Sequence, residues 1–261
     1  MWLFCARVKP SKTIFLIFSE LVSIVQKNIV EKCGKVLTYS QKLYLCSVFW
    51  HENGRTKRAE IQILMPNLYI ISGCNGAGKT TASLTVLPET LQCKEFVNCD
   101  EIAKGLSPLN PDGAKVAAGR LMLSRIKKLI ADKEDFAIET TLAAKSYHSL
   151  ILRAREQGYK SSLIYFWLQS PDLAIQRVAE RVKHGGHHVD DSIIRRRYKA
   201  GIKNLFNLYC PVVDYFLFID NSIMPSEVIA EGNIKAIKFY NEEKFKKIRQ
   251  YDNSNSECQE E

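Results

Sequence analysis

The sequence predicts an α/β fold in which a central, mostly parallel sheet carries helices on both faces, and three observations lead there. From Asn67 onward, short apolar runs alternate with segments of helical period. The first of those runs, Leu68 to Ile71, feeds a glycine-rich loop and then a helical segment. Later, Ser170-Pro171 is a helix start and Gly185-Gly186 a helix stop around one amphipathic face. Alternation of this kind requires crossover connections, which are right-handed and place ligands beyond the carboxyl ends of the strands.

Residues 1 to 64 precede that pattern. They hold 10 Lys+Arg against 4 Asp+Glu and show no strand–helix alternation. Thr13 to Val25 is apolar, but at about 13 residues, interrupted by Glu20, it is too short to span a bilayer. No small-residue cleavage site follows it, so neither a membrane partner nor export is expected. The basic stretch HENGRTKRAE then leads to Met65-Pro66. Two readings stand for this extension: a small helical appendage, or an over-called start with initiation at Met65. A domain is expected over 65–250 and a disordered polar tail over 251–261.

In the loop, Gly73-Cys74-Asn75-Gly76-Ala77-Gly78-Lys79-Thr80 fits the pattern G-x-x-x-x-G-K-[ST] at every fixed position. Its glycines let the backbone approach a phosphate and aim successive N–H groups at the anion. Lys79 reaches the outer phosphates, Thr80 offers a hydroxyl to Mg²⁺, and the helix over Thr81 to Leu87 turns its positive end to the site. Gly73, Cys74, Asn75, Gly76, Ala77, Gly78, Lys79, Thr80 and Thr81 therefore form the expected nucleotide-binding stretch, with ATP and Mg²⁺ as its ligands.

Further strands are expected at Glu95 to Cys99, Phe136 to Ile138, Ser161 to Leu168 and Tyr215 to Ile219, with two short extra strands at Val228 to Glu231 and Ile234 to Phe239. Helices are expected over Pro111 to Ala131, with apolar positions at Ala118, Met122, Ile126 and Leu129, over Ser146 to Gln157, and from Asn241. Acidic residues close two strands: Asp100 after the second and Glu139 after the third. Phosphoryl transfer needs one carboxylate to orient the attacking hydroxyl and accept its proton and another to hold Mg²⁺ or its water. Asp100 is assigned the first role and Glu139, with Thr80, the second. The bland alternatives are that Asp100 caps a helix and that Glu139 is a helix-start carboxylate or a solvated loop residue. Asp220 reads as the start of a turn.

Between Arg177 and Lys203 lie 8 basic and 3 acidic residues. Arg177 and Arg181 share one helix stripe, Gly185-Gly186 is a hinge, Asp190 caps the next helix, and Arg195-Arg196-Arg197 follow. Two arginine-bearing helices about a hinge resemble a lid that closes on a triphosphate and neutralises charge on the transferring group. This local excess suits a polyphosphate rather than a nucleic-acid track. His187 and His188 lack partners at metal-ligand spacing. The eight cysteines show no C-x-x-C and read as small hydrophobes or bystanders in a cytoplasmic protein.

Taken together, GCNGAGKTT, FVNCDEIAKGLSP, AIETTL, GGHHVDDSIIRRRY and FIDNS with VIAEG resemble the zeta-toxin family and its UDP-N-acetylglucosamine kinase relatives, over about Met65 to Gln250. The lid sequence resembles the chromosomal zeta-like branch. The resemblance implies a three-layer P-loop kinase fold and ATP-dependent phosphorylation of a sugar hydroxyl on UDP-N-acetylglucosamine or a similar metabolite. It matches Lys79 and Thr80 to the nucleotide and Mg²⁺ positions, Asp100 to the acid at the acceptor hydroxyl, and Glu139 and Thr141 to a substrate-side E-x-T. It also implies an arginine from each lid helix on phosphate, for which Arg181 and Arg196 are named with Arg177 on the nucleotide, and a small helical antitoxin as partner. The readings kept beside it are a nucleoside or polynucleotide 5′-hydroxyl kinase and a nucleotide-gated binding module.

Overall fold

The run Asn67–Gly73 forms strand β1, and every residue in it after Asn67 is buried. Side chains of a strand point alternately to opposite faces, so burial of all of them requires a layer on each side of the sheet. The computed structural model describes residues 65–253; the expectations for 1–64 and for the tail past 253 fall outside the described residues. The other strands are β2 (Glu95–Val97), β3 (Phe136–Thr140), β4 (Lys160–Trp167), β5 (Tyr215–Asp220), β6 (Glu227–Asn233) and β7 (Ala236–Phe239). They make one sheet in the order β2-β3-β1-β4-β5-β6-β7. The first five are parallel, and β6 and β7 add an antiparallel hairpin at one edge.

Seven helices cover this sheet among the described residues: α1 (Lys79–Glu89), α2 (Cys99–Leu106), α3 (Pro111–Asp132), α4 (Ser146–Glu156), α5 (Pro171–Lys183), α6 (Asp191–Asn204) and α7 (Glu242–Asn253). The stripe expected on α3, Ala118, Met122, Ile126 and Leu129, is its buried face. Ser170 caps α5 by accepting from the Leu173 N–H at 3.1 Å, with Pro171 in the first turn. Helix α6 passes into a π-turn at Leu205–Tyr209. Beneath it Phe206, Phe218 and Phe245 pack ring to ring, joining the π-turn to β5 and α7.

Several boundaries differ from the sequence expectation, and two of the differences have a cause in named side chains. Strand β2 stops at Val97 rather than running to Cys99, because the Asn98 side chain turns back to cap α2, accepting from the N–H of Asp100 at 2.9 Å and Glu101 at 3.4 Å. Asp100 thus lies in the first turn of a helix, and the cap is its neighbour. Helix α7 continues to Asn253, beyond the point where the polar tail was expected to begin. Tyr251 makes that extension favourable, since its ring packs edge-on against Tyr198 of α6 at 5.4 Å.

Candidate active site

At the carboxyl end of β1 the chain folds into the loop that the sequence marks. Gly73 has φ 141°, and a Cβ there would stand 2.3 Å from the Phe166 carbonyl oxygen of β4. Gly78, at φ 81°, caps α1 and sits against the Asn221 amide, 2.6 Å from where a Cβ would be. Only glycine fits at either place, so strand pairing on one side and the turn after β5 on the other shape the loop. Asn221 also donates to the Ala77 carbonyl at 2.8 Å and thereby clasps the loop from outside. The Cys74 thiol within the loop is pushed up to about 11 by burial, against the pull of Lys79, and stays protonated at neutral pH.

Lys79 is 6% exposed. Its amine donates to the Cys74 carbonyl at 2.8 Å and stands 3.8 Å from Glu139 Oε1. The next residue, Thr80, donates its hydroxyl to Glu139 Oε2 at 2.8 Å, with Oε1 at 3.1 Å. Glu139 receives a third donor, Asn98 Nδ2, at 2.8 Å. Loop and third strand are thus joined through one carboxylate. Thr81 is exposed in the first turn of α1, and Asp100 is exposed, its carboxylate with no hydrogen-bond or ion-pair partner among the described residues. Close to Asp100 and Glu139 lies Tyr147, whose hydroxyl is pushed up to about 12 by burial first and then by the charge of Cys99, Asp100 and Glu139. Sequence reading did not single out Tyr147, since a tyrosine at the start of a helix carries no pattern.

This arrangement suits the ligands the loop pattern implies. A buried amine held only by a carbonyl and a distant carboxylate can turn to a phosphate, and glycines at positive φ leave room for one. A threonine hydroxyl beside a carboxylate is a hard oxygen pair of the kind Mg²⁺ accepts while keeping much of its water.

Past Glu139, Thr141 begins a tight turn in which Leu142 takes φ 60° and its N–H bonds the Thr140 hydroxyl at 3.0 Å. Helix α6 holds this turn from behind. A Cβ on Gly201 would come within 2.5 Å of the Thr141 carbonyl oxygen. Asn204 donates to the carbonyls of Leu142 and Ala143 at 2.8 and 3.2 Å, and the Tyr209 hydroxyl donates to that of Ala144.

The lid arginines separate. Arg177 on α5 donates to the Ser222 carbonyl at 3.0 Å, next to the Asn221 clasp. Arg181 is exposed and donates to the His187 carbonyl at 2.6 Å, inside the hinge. On α6, Arg195 pairs with Asp172 at 2.5 Å, Arg196 is exposed with no such partner among the described residues, and Arg197 reaches Asn75 of the loop at 3.4 Å. Arg197 falls with Ile194, Tyr198 and Gly201 on the buried stripe of α6, whereas Arg195 and Arg196 fall off it. Across the cleft, His187 Nε2 stands 3.5 Å from Asp112 at the start of α3. No cluster of His, Cys, Asp and Glu suited to a metal occurs among the described residues, and no described helix is long and apolar enough to cross a membrane.

Asp220 turns away from the loop. It bonds the Ser222 N–H at 2.7 Å and pairs with Lys244 at 2.7 Å. Burial opposes its charge, but these two partners outweigh it and hold the carboxyl below its usual range.

The profile of the zeta toxin family matches residues 52–209. An uncharacterised protein of Haemophilus influenzae is 28% identical over 141 residues, covering 54% of this chain and 99% of its own. Among solved structures, the PezAT chromosomal toxin–antitoxin system of Streptococcus pneumoniae aligns at TM-score 0.50 and 14% identity, over 83% of this chain and 81% of that one. The AvrRxo1-ORF1:ORF2 complex with ATP aligns at TM-score 0.58 and 14% identity, over 95% and 79%. At such identities the structural likeness speaks to the fold alone.

Proposed function

The chain belongs to the zeta toxin family, and from that premise we propose that it is a cytoplasmic kinase that transfers the γ-phosphate of ATP to a hydroxyl of a nucleotide sugar, UDP-N-acetylglucosamine or a close relative. The observation that carries the reading is the joining of Lys79, Thr80 and Glu139 with the Asp100 helix on one rim of the sheet, through bonds of 2.8 Å from Thr80 and from Asn98 to the same carboxylate.

In this reading the glycine loop and the amine of Lys79 bind the outer phosphates, and Thr80 with Glu139 holds Mg²⁺. Bound there, Mg²⁺ would supply positive charge that offsets the charge on the transferring group. Asp100, exposed and unpaired, accepts the proton of the attacking hydroxyl. Thr141 and the turn behind it orient the acceptor. Arg197 and Arg177, with Arg181 of the same stripe, close over the phosphates and exclude water. Asp100 was named from the end of its strand; it lies in the first turn of α2 with an exposed, unpaired carboxylate, and that exposure is what supports the role.

A small helical partner fits the same reading, because the fold is shared with a protein of a toxin–antitoxin system and with AvrRxo1-ORF1 in complex with ORF2. The test is transfer of label from γ-labelled ATP to a panel of nucleotide sugars, nucleosides and oligonucleotide 5′ ends, with Lys79→Ala as control. A labelled nucleotide sugar that disappears with Lys79→Ala is expected. Label on oligonucleotide ends, or only slow ATP hydrolysis that no acceptor stimulates, would overturn the proposal.

A further inference from the structure

Strands β2 and β3 pair in register from Glu95↔Phe136 to Val97↔Ile138, and there the backbone ladder ends. The next residues along the two strands are Asn98 and Glu139, and their side chains continue the register that the backbones give up: Asn98 Nδ2 donates to Glu139 Oε2 at 2.8 Å. The same amide is used at its other end, where Oδ1 accepts from the N–H groups of Asp100 and Glu101. Asn98 is 7% exposed, so both ends are fixed in a buried setting.

We propose that Asn98 is a positioning residue for phosphoryl transfer, setting the distance between the carboxylate that holds the metal side and the helix turn that carries Asp100. The proposal rests on the kinase reading above. Its chemistry follows from the donor and acceptor inventory. The cap needs an acceptor, the Glu139 carboxylate needs a donor, and both must sit on one short side chain. Aspartate supplies the acceptor alone and would set a like charge against Glu139; serine supplies the cap but is too short to reach across the strands. Asparagine meets both demands at this length.

The site depends on the two carboxylates being held a fixed distance apart while they act on opposite partners of one transfer. A shift of about 1 Å in such a pair can cost up to about a hundredfold in rate. Because Asn98 would act through Glu139 and the Asp100 turn rather than on nucleotide or acceptor, its loss should appear in turnover rather than in ATP binding.

The experiment compares Asn98→Ser, Asn98→Asp, Asn98→Ala, Asp100→Asn and the double variant Asn98→Ser/Asp100→Asn, measuring kcat, KM for ATP and thermal midpoint. Asn98→Ser, which keeps a capping oxygen, should lose about tenfold or more in kcat with KM for ATP within about threefold and a midpoint close to wild type; Asn98→Asp should show the same kcat and KM pattern with a lower midpoint, since it sets a like charge against Glu139. Asn98→Ala should show the same kcat loss and a midpoint lower by about 2–5 °C, since it also loses the cap. In the double variant the loss should fall well short of the product of the two single losses, because both act through one carboxylate. Wild-type kcat in Asn98→Ser and Asn98→Asp, or losses that multiply fully, would overturn the proposal while leaving the kinase reading intact. Undiminished kcat in Asp100→Asn would take down both.

Discussion

The Thr80 hydroxyl donates to Glu139 across 59 residues of sequence, at 2.8 Å from one carboxylate oxygen and 3.1 Å from the other. Loop and third strand are therefore already closed on each other at the place where a cation would sit. Glu139→Gln keeps the size of the side chain but removes its charge. The Mg²⁺ concentration for half-maximal activity should then rise about tenfold, with the thermal midpoint little changed. A Mg²⁺ titration at saturating ATP checks this; an unshifted titration would remove Glu139 from the metal side.

Arg197 and Arg196 are neighbours in sequence and differ in placement. Arg197 reaches Asn75 at 3.4 Å, while Arg196 faces solvent. Arg197→Ala should lower kcat by about tenfold to a hundredfold, and by more than Arg196→Ala does. Parallel steady-state kinetics on the two variants decides the order.

Gly201 lies so close to the Thr141 turn, proposed above to orient the acceptor, that a Cβ would meet the Thr141 oxygen at 2.5 Å. Gly201→Ala must push helix and turn apart, at about 1–3 kcal/mol. We expect a lower thermal midpoint, together with a raised KM for the acceptor and an unchanged KM for ATP. A raised KM for ATP alone would contradict the assignment of this turn to the acceptor.

The Asp220–Lys244 pair gives a pH dependence of known sign. Against the opposing effect of burial, the Lys244 amine and the Ser222 N–H hold the folded-state pKa of Asp220 below the ordinary carboxyl range, so the pair's contribution is fully present above the unfolded carboxyl pKa and is lost as pH falls through the folded one. Acid unfolding should therefore lose slope in Asp220→Asn. At neutral pH that variant should be less stable by about 2–3 kcal/mol, below the range for a fully buried pair because Lys244 remains 23% exposed. Denaturant titrations between pH 3 and pH 7 measure both.

A chain beginning at Met65 should fold and keep its activity. Strand β1 lies between β3 and β4, and even Pro66, before it, bonds forward to the Lys160 N–H at 2.8 Å. Insolubility of the shortened chain, or loss of ATP binding, would show that earlier residues complete the core.

Much of this fold was legible because periodicity and burial share a cause. The four apolar positions on α3 recur at helical spacing because one face of that helix meets the core. The loop was legible because its backbone geometry demands glycine. What escaped reading depended on side chains whose role is set by distant partners. Asn98 ended β2 because a cap competes with the ladder for its backbone, and Asn221 became the clasp of the loop only when β5 came to lie beside β4. Arg197 could have been found by laying the three arginines against the stripe of Ile194, Tyr198 and Gly201; proximity to the loop itself required the fold.

The foot of the second lid helix has a mechanical consequence. With Gly201 seated on Thr141, Asn204 bonded to Leu142 and Ala143, and the Tyr198 hydroxyl bonded to the Leu168 carbonyl, α6 is anchored over its carboxyl-terminal half, so a lid opening of the kind the proposed kinase reading requires would have its fulcrum there. At a rise of about 1.5 Å per residue, Arg197 is roughly 6 Å from that fulcrum and Asp191 roughly 15 Å. Any rotation that opens the cleft therefore moves the hinge end more than twice as far as the arginine. In the proposed reading, an opening at the Gly185-Gly186 end would therefore displace Arg197 least, and its positive charge would stay near Asn75 of the loop.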